Sequence, residues 1–411
     1  MEIAAPHAAG KGKKPDAVFS ILQRANQAVR ELGTENVINA SIGAIYDEEE
    51  KFAFLPTVKE YLQQLPASEM MSYAPIAGLP EFEEAVIKET LGKFQPENTF
   101  VRALATPGGT GAVRHVVYNY TQQGEKVLVP DWAWGPYWTI AAEHQRQVEV
   151  YQMFNSQGEL NLESLQEKIV QLLEEQEQLV IIFNTPAHNP TGYSITNLEW
   201  EKMLSFFREY VLNKRKKIIL LLDLAYLDYA GTKEETRSFM RLFSDLPESI
   251  LITMAFSMSK SYLIYGLRSG ALIGLSSSEK VIAEFYRVNV CSNRGVWSNG
   301  TRCAQRLLAE VAASPTLSRR VEQERADYTG LLQKRAGLFL KEAKEVDLAL
   351  LPYQSGFFIT IPTKQPGEIA EKLREQHFYT VPLAKGIRIA ICGVPTYKIP
   401  GMASRLKEVL G

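Results

Sequence analysis

Hydrophobic positions recur along this chain at two different spacings. Near the N-terminus Val18, Ile21, Leu22, Ala25, Val29 and Leu32 repeat at three and four, and Gly33 follows them. That spacing predicts an amphipathic helix stopped by the glycine. Farther on come short, largely apolar runs at 127–129, 148–153, 179–183, 218–222, 250–256 and 271–275. Several are continuous rather than alternating, the pattern of strands covered on both faces. Helix-period stretches at 162–176 and 198–213 lie between some of them. Strand and helix in alternation predict an α/β unit built on a mostly parallel sheet.

The last third reads differently. Ser314 and Pro315 are an N-cap residue and a first-turn proline, so a helix starts there. A long charged helical stretch continues to about Lys344. After it come a strand-like segment at 356–361, a helix at 366–376 with proline first, strand-like segments at 379–382 and 387–391, and a closing helix. These predict a second, smaller α+β domain. The expected organisation is a mobile arm at 1–15, a first part of the small domain at 16–50, a large domain at 51–310 and the remainder of the small domain at 311–411. No internal repeat is visible.

Composition narrows the function classes. The chain has 411 residues, 45% of them hydrophobic and 22% charged. Such a chain buries a large core and is neither disordered, collagenous nor a coiled coil as a whole. The formal net charge of −2 predicts no bulk attraction to nucleic acid or to an anionic membrane. Cys291, Cys303 and Cys392 form no Cys-x-x-Cys pair, so a disulfide framework is not expected and a reducing, cytoplasmic setting is. The N-terminus does not read as a signal peptide, and no apolar run is long enough to span a bilayer.

Several catalytic patterns are missing. No His-Glu-x-x-His or His/Cys cluster points to a metal centre. No Walker-type loop and no Gly-x-Gly-x-x-Gly after a strand points to a nucleotide. No Gly-x-Ser-x-Gly marks a nucleophile elbow.

Five segments that each follow an expected strand, or open a helix, carry candidate chemistry instead. The run 106–112, TPGGTGA, leads into a helical pattern. Glycines admit an anion close to the backbone, and the amides of a helix start point at it, although a plain Gly-rich turn reads the same way. Asp223 ends the run 218–222, with Tyr226 three residues on. A carboxylate at the carboxyl end of a parallel strand stands where α/β sheets bind ligands, or simply caps a turn. Lys260, in the string SMSK after 250–256, can be a Schiff-base amine or a solvated lysine. Trp134 follows 127–129, and Asn189 lies in HNPTG after 179–183. An anion cradle, a lysine, a carboxylate and an aromatic plate together match one ligand, pyridoxal 5′-phosphate. Its aldehyde needs an amine, its phosphate needs donors, its ring nitrogen needs a carboxylate, and its flat ring gains from an indole.

With these motifs in order, the sequence resembles the fold type I pyridoxal-phosphate aminotransferases, in the aspartate/aromatic (class I) group. The strings are PGGTGA (107–112), WG (134–135), HNPTG (188–192), DLAY (223–226), SMSKSYLIYGLRSG (257–270) and RIAICG (388–393). The resemblance spans most of the chain, from about Gly43 to Gly393. It implies an aspartate aminotransferase-like fold: a large domain with a seven-stranded, mostly parallel sheet flanked by helices, and a small α+β domain made by both terminal segments. It also implies roles. Lys260 would form the Schiff base and then act as the base that moves a proton. Asp223 would pair with the ring nitrogen, and Tyr226 and Asn189 with the 3-oxygen. Trp134 would stack on the ring, while Gly109, Thr110, Ser257 and Arg268 would hold the phosphate. Arg388 would clamp the substrate α-carboxylate, and Gly43 would lie against the substrate.

The same resemblance implies a homodimer. Tyr73 would reach the phosphate of the neighbouring subunit, and Arg294 the distal carboxylate of its dicarboxylic substrate. The implied reaction moves an amino group between an acidic or aromatic L-amino acid and a 2-oxo acid, 2-oxoglutarate foremost, by a ping-pong cycle. A β-lyase or an amino-acid decarboxylase on the same fold is the alternative. Metal, nucleic-acid and membrane partners are not expected. The sequence departs from the family's pattern at Tyr137, where a histidine often backs the aspartate, and at Gly300, which replaces a proline. Tyr46 and Trp297 add aromatic surface that keeps aromatic donors in play.

Overall fold

The computed structural model describes residues 3–12 and 16–411 of the chain. Of the arm expected at 1–15, residues 1, 2 and 13–15 lie outside the described residues, and Pro6–Ala9 forms one helical turn. Contacts divide the chain into two compact units. One comprises Met1–Phe52, Lys334–Leu351 and Phe357–Gly411; the other comprises Ala53–Gln333 and Pro352–Gly356.

The second unit is built on a sheet that has seven strands among the described residues. In chain order these are β1 (Phe100–Thr106), β2 (Lys126–Pro130), β3 (Gln147–Tyr151), β4 (Gln178–Asn184), β5 (Lys217–Asp223), β6 (Ile250–Ser257) and β7 (Gly270–Ser276). Their spatial order is β1-β7-β6-β5-β4-β2-β3. Neighbours run parallel except at β7, which is antiparallel to both β1 and β6. The six apolar runs of the sequence correspond to β2 through β7. β1 was not among them because Arg102 interrupts its apolar pattern. Its guanidinium bonds Glu83 at 2.6 Å and lies 3.5 Å over the Tyr286 ring, so a charge is accommodated in mid-strand.

Helices pack on the sheet through residues that local sequence selects. Asn197–Lys214 opens on a capping box in which Thr196 and Glu199 satisfy each other's backbone amides. Its fully buried Trp200 stacks on Phe239 at 5.4 Å and meets Phe183 of β4 edge-on. Gly108–Asn119 is buried along most of its length. Its Ala112, Val113, Val116 and Val117 join Leu104, Leu221, Ala255 and Leu272 in one core cluster. The helix Pro315–Glu345 begins where Ser314 and Pro315 predict, with Ser314 Oγ accepting from Leu317 N at 3.3 Å.

The other unit holds the first amphipathic helix, Ala17–Leu32. Asp16 caps it by accepting from Phe19 N, and Gly33 ends it at a φ of 86°. Phe358–Pro362, Gly386–Ala390 and Val381–Pro382 form an antiparallel sheet. The single strand expected at 379–382 is broken at Thr380. Phe378–Tyr379 instead pairs in parallel with Ile38–Asn39, a connection between distant segments that local pattern does not carry.

Gly270, at the start of β7, leaves less room for a side chain than Gly274 of the same strand. A Cβ there would stand 2.3 Å from Phe256 O and 2.7 Å from the Gly108 carbonyl carbon, both backbone atoms. Backbone in a paired strand yields little, so Gly270→Ala is expected to destabilise the protein by about 1–3 kcal/mol, as overpacked cores do. Urea denaturation checks it, and an unchanged midpoint would contradict the packing described.

Candidate active site

Strands β2, β4, β5 and β6 end at one edge of the sheet, and the chain after each turns into a common cleft. Its lining comprises Gly109, Thr110, Trp134, Asn184, Asn189, Asp223, Ala225, Tyr226, Ser257, Ser259, Lys260 and Arg268. This is the carboxyl edge, where parallel sheets bind ligands. Eleven of these residues lie in strings already singled out in the sequence, Asn184 being the exception. Among the described residues lining the cleft, Asp223 is the only acidic one.

Asp223 is the last residue of β5 and is held in register between Asn184 and Ala255. Its Oδ2 accepts from Tyr137 Oη at 2.8 Å, and its Oδ1 from Ala225 N at 3.3 Å. Burial pushes its pKa up, and the Tyr137 hydrogen bond, the Lys260 charge and the Ala225 amide only partly offset this. Tyr137 stands where the resemblance leads one to expect histidine. Burial and the neighbouring carboxylate raise the pKa of this phenol well above normal, so it remains a donor. Trp134 meets Tyr137 edge to face at 5.4 Å.

Lys260 sits in the helical turn Met258–Ser261 directly after β6. Its Nζ lies 5.6 Å from the Tyr226 ring centroid and 5.9 Å from that of Tyr265. Asn189 Nδ2 donates to Tyr226 Oη at 3.3 Å. The cleft's other end is formed by the start of Gly108–Asn119, where Pro107 supplies no side-chain cap. Close packing there requires glycine. A Cβ on Gly108, whose φ is +67°, would stand 2.7 Å from Arg268 Nη2, and one on Gly109 would be 3.4 Å from Ser257 Cβ. Arg268 Nη1 donates to Ser259 Oγ at 2.8 Å.

Two residues of the cleft escaped sequence reasoning. Asn184 donates from Nδ2 to Asp223 O at 2.8 Å, and its Oδ1 accepts from Asn189 N at 2.6 Å. It thereby ties the Asp223 strand end to the Asn189 loop. Its position, the polar residue ending an apolar run as Asp223 does, was the available signal. Ser259 lies inside the quoted SMSK string but had no role assigned.

Other expected site residues lie elsewhere. Tyr73 is 87% exposed and Arg294 is exposed in the last turn of Glu279–Val296, where its Nη1 donates to Ser298 Oγ at 2.6 Å. Neither lines the cleft. Gly43 and Arg388 belong to the other unit. There Arg388 is buried, donates to Ser41 O at 2.8 Å and lies 4.4 Å over the Phe358 ring. A Cβ on Gly43 would fall 2.6 Å from the same ring. No group of three or more His, Cys, Asp or Glu side chains among the described residues could hold a metal ion. No helix among them is long and apolar enough to cross a membrane.

Comparison with known proteins accords with this geometry. The family described as aminotransferase class I and II matches residues 35–406. The aspartate aminotransferase of Salmonella typhi is 26% identical over 332 residues, covering 78% of this chain and 81% of that one. The aromatic-amino-acid aminotransferase of Pseudomonas aeruginosa is 25% identical over 386 residues, covering 90% and 92%. The crystal structure of an aminotransferase from Anaerococcus prevotii is 38% identical, covers 100% of both chains and superposes with a TM-score of 0.97.

The raised pKa of Asp223 has a measurable sign. A carboxyl whose pKa is higher when folded contributes stability that is fully present below the unfolded value, about 3.9, and lost as pH rises through the folded value. In protein without bound ligand, Asp223→Asn should therefore raise the denaturation midpoint at about pH 7, with the gain shrinking toward about pH 4. A gain independent of pH would mean that the carboxylate is not the strained group.

Proposed function

The chain belongs to the aminotransferase class I and II family and is a pyridoxal-phosphate-dependent transaminase, and on that premise we propose that it moves an amino group between an acidic or aromatic L-amino acid and a 2-oxo acid, 2-oxoglutarate foremost, in two successive half-reactions. The observation that carries this reading is the convergence of Lys260, Asp223, Tyr226, Asn189 and Trp134 with a glycine-lined helix start in one cleft.

The cleft suits the cofactor. A buried, electrostatically strained carboxylate at one end accommodates a cationic ring nitrogen, and uncapped amides with an arginine at the other accommodate a phosphate. When bound, the cofactor supplies an electron sink for the bonds at the substrate Cα. Gly109, Thr110, Ser257 and Arg268 would hold its phosphate, Trp134 would lie against its ring, and Asn189 and Tyr226 would donate to its 3-oxygen. Asp223, held by Tyr137 and Ala225, would keep a proton on the ring nitrogen. Lys260 would carry the cofactor through its ε-amine and, once displaced by substrate, take up and return a proton at Nζ. Arg388 would bind the substrate α-carboxylate in a bidentate fork, with Gly43 leaving room beside it.

The functional form in this reading is a homodimer. Tyr73 would serve the phosphate, and Arg294 the distal carboxylate, in the neighbouring subunit's site. Both are exposed on this chain, and apolar side chains two residues from each are exposed too, Met71 at 85% and Val296 at 48%. Exposed apolar side chains beside both residues support that reading. Three cysteines in 411 residues support a reducing, cytoplasmic setting.

Mixing the purified holoenzyme with single amino acids and following the cofactor's absorbance tests the reaction. Formation of a new amino acid from an added 2-oxo acid is expected, whereas release of ammonia or carbon dioxide as the main product would overturn it in favour of elimination or decarboxylation. Lys260→Ala should reduce turnover to background while cofactor still binds noncovalently. Arg294→Ala should lower kcat/KM for dicarboxylic substrates by about 30-fold or more, the loss expected when one partner of a buried charge pair is removed. Aromatic substrates should change by less than about threefold, and equal losses on both would remove Arg294 from this role.

A further inference from the structure

Outside the cleft, the large unit contains a second concentration of buried charge. Arg325, on the helix Pro315–Glu345, has a side chain only 5% exposed. Its Nη1 donates to Glu89 Oε1 at 2.6 Å and lies 3.9 Å from Asp228 Oδ2. Its Nε donates to Ser261 O at 2.6 Å, and its plane lies 4.4 Å over the Tyr262 ring. Asp228 Oδ1 accepts from Arg237 Nη2 at 2.5 Å, and those two side chains are 3% and 2% exposed. Burial works against ionisation of Asp228, but Arg325 and Arg237 overcome it and hold its carboxyl well below the usual range. Two guanidinium groups thus face two carboxylates, with Lys233 3.9 Å from Glu89 at the edge of the set.

Where this set attaches is informative. Met258–Ser261, the turn that carries Lys260, is four residues long. A helix of one turn has no stability of its own, and its last carbonyls lack partners within it. Arg325 supplies one of them, at the residue following Lys260. Asp228 lies in the turn Leu227–Tyr229, two residues after Tyr226. One guanidinium therefore links the turn that bears the lysine to the turn that bears the tyrosine.

We propose that Arg325 is a positioning residue for the reaction, fixing the Lys260 turn and the Tyr226 turn against each other through Ser261 O, Asp228 and Glu89. This rests on the reading of Lys260 as the cofactor-bearing amine. Arginine is required because a lysine ammonium is a point charge and cannot serve separated acceptors with the fixed geometry of a fork.

The decisive variant is Arg325→Lys, which keeps the charge and loses the fork; Arg325→Met removes both. Amide hydrogen exchange on the cofactor-free protein reads the turns directly. In Arg325→Lys, residues 227–230 and 258–263 should lose protection by about tenfold or more while β4, β5 and β6 keep theirs. In the holoenzyme, the pH midpoint of the bound cofactor's visible absorbance should move, and kcat should fall by about tenfold or more with KM nearly unchanged, since small misplacements of reacting groups act on the chemical step. Should Arg325→Met fail to fold, the lysine variant alone decides. The proposal is overturned if Arg325→Lys matches the wild type in exchange, midpoint and kcat. It is equally overturned if protection falls evenly across the unit while kcat per folded molecule is unchanged. A Lys260→Ala variant whose visible cofactor band matches that of the wild type would instead refute the reading of Lys260 itself.

Discussion

A carboxylate taken out of water is unfavourable unless hydrogen bonds or positive charge meet it, and the cleft is arranged around one such group. Asp223 cannot turn back to solvent, because β5 is paired on both sides up to this residue. Tyr137, Ala225 and Lys260 meet it only in part, and its pKa stays raised. The opposite end has the reverse imbalance, with uncapped amides and an arginine and no acidic side chain. A ligand that is cationic at its ring nitrogen and anionic at its phosphate relieves both. The same imbalance explains the elaborate support of the strand end: a strained carboxylate is useful only if it cannot move, and Asn184 bonds the backbone of Asp223 on one side while accepting from the Asn189 loop on the other.

Sequence made this site legible to the extent that strand ends are legible. Asp223 and Lys260 each follow a continuous apolar run, and the rule that parallel sheets bind ligands at their carboxyl edge turned two ambiguous residues into a pair. Each motif alone had an ordinary structural reading, and only their order along the chain removed it. What escaped depends on contacts between distant segments. β1 was hidden by Arg102, whose charge is paired with Glu83 nineteen residues earlier and whose guanidinium is covered by the Tyr286 ring far downstream. The reversed direction of β7 leaves no mark on periodicity. Tyr137 was visible as a departure, but only its 2.8 Å bond to Asp223 shows that the partner of the carboxylate has been replaced rather than lost.

That replacement changes what the support can do. An imidazole has a second nitrogen and titrates near neutrality, whereas a phenol has one proton and, buried beside a carboxylate, does not release it at working pH. The hydrogen bond to Asp223 is therefore constant in direction across the physiological range. In the proposed reading, the pH response of a ring nitrogen facing Asp223 would follow from that carboxylate and its ligand, with a phenol rather than an imidazole behind it.

Constancy of charge also marks the arginines of the long helix. Pro315–Glu345 reads in sequence as a charged stretch, and charged stretches are ordinarily solvated. Yet Arg325 and Arg335 are buried, at 4% and 0% exposure. Each donates to a backbone carbonyl of a short element, Ser261 O for Arg325 and Cys392 O for Arg335, and each also meets a carboxylate, Glu89 and Glu48 respectively. Breaking a buried pair by removing one partner costs about 3–5 kcal/mol, whereas replacing the whole set by apolar residues is often neutral. Stability alone is thus a weak reason for a chain to retain such sets. Their value lies in geometry: a guanidinium bonds in a fixed plane and so holds a short turn in one place, at the Lys260 turn for Arg325 and at the turn after Gly386–Ala390 for Arg335.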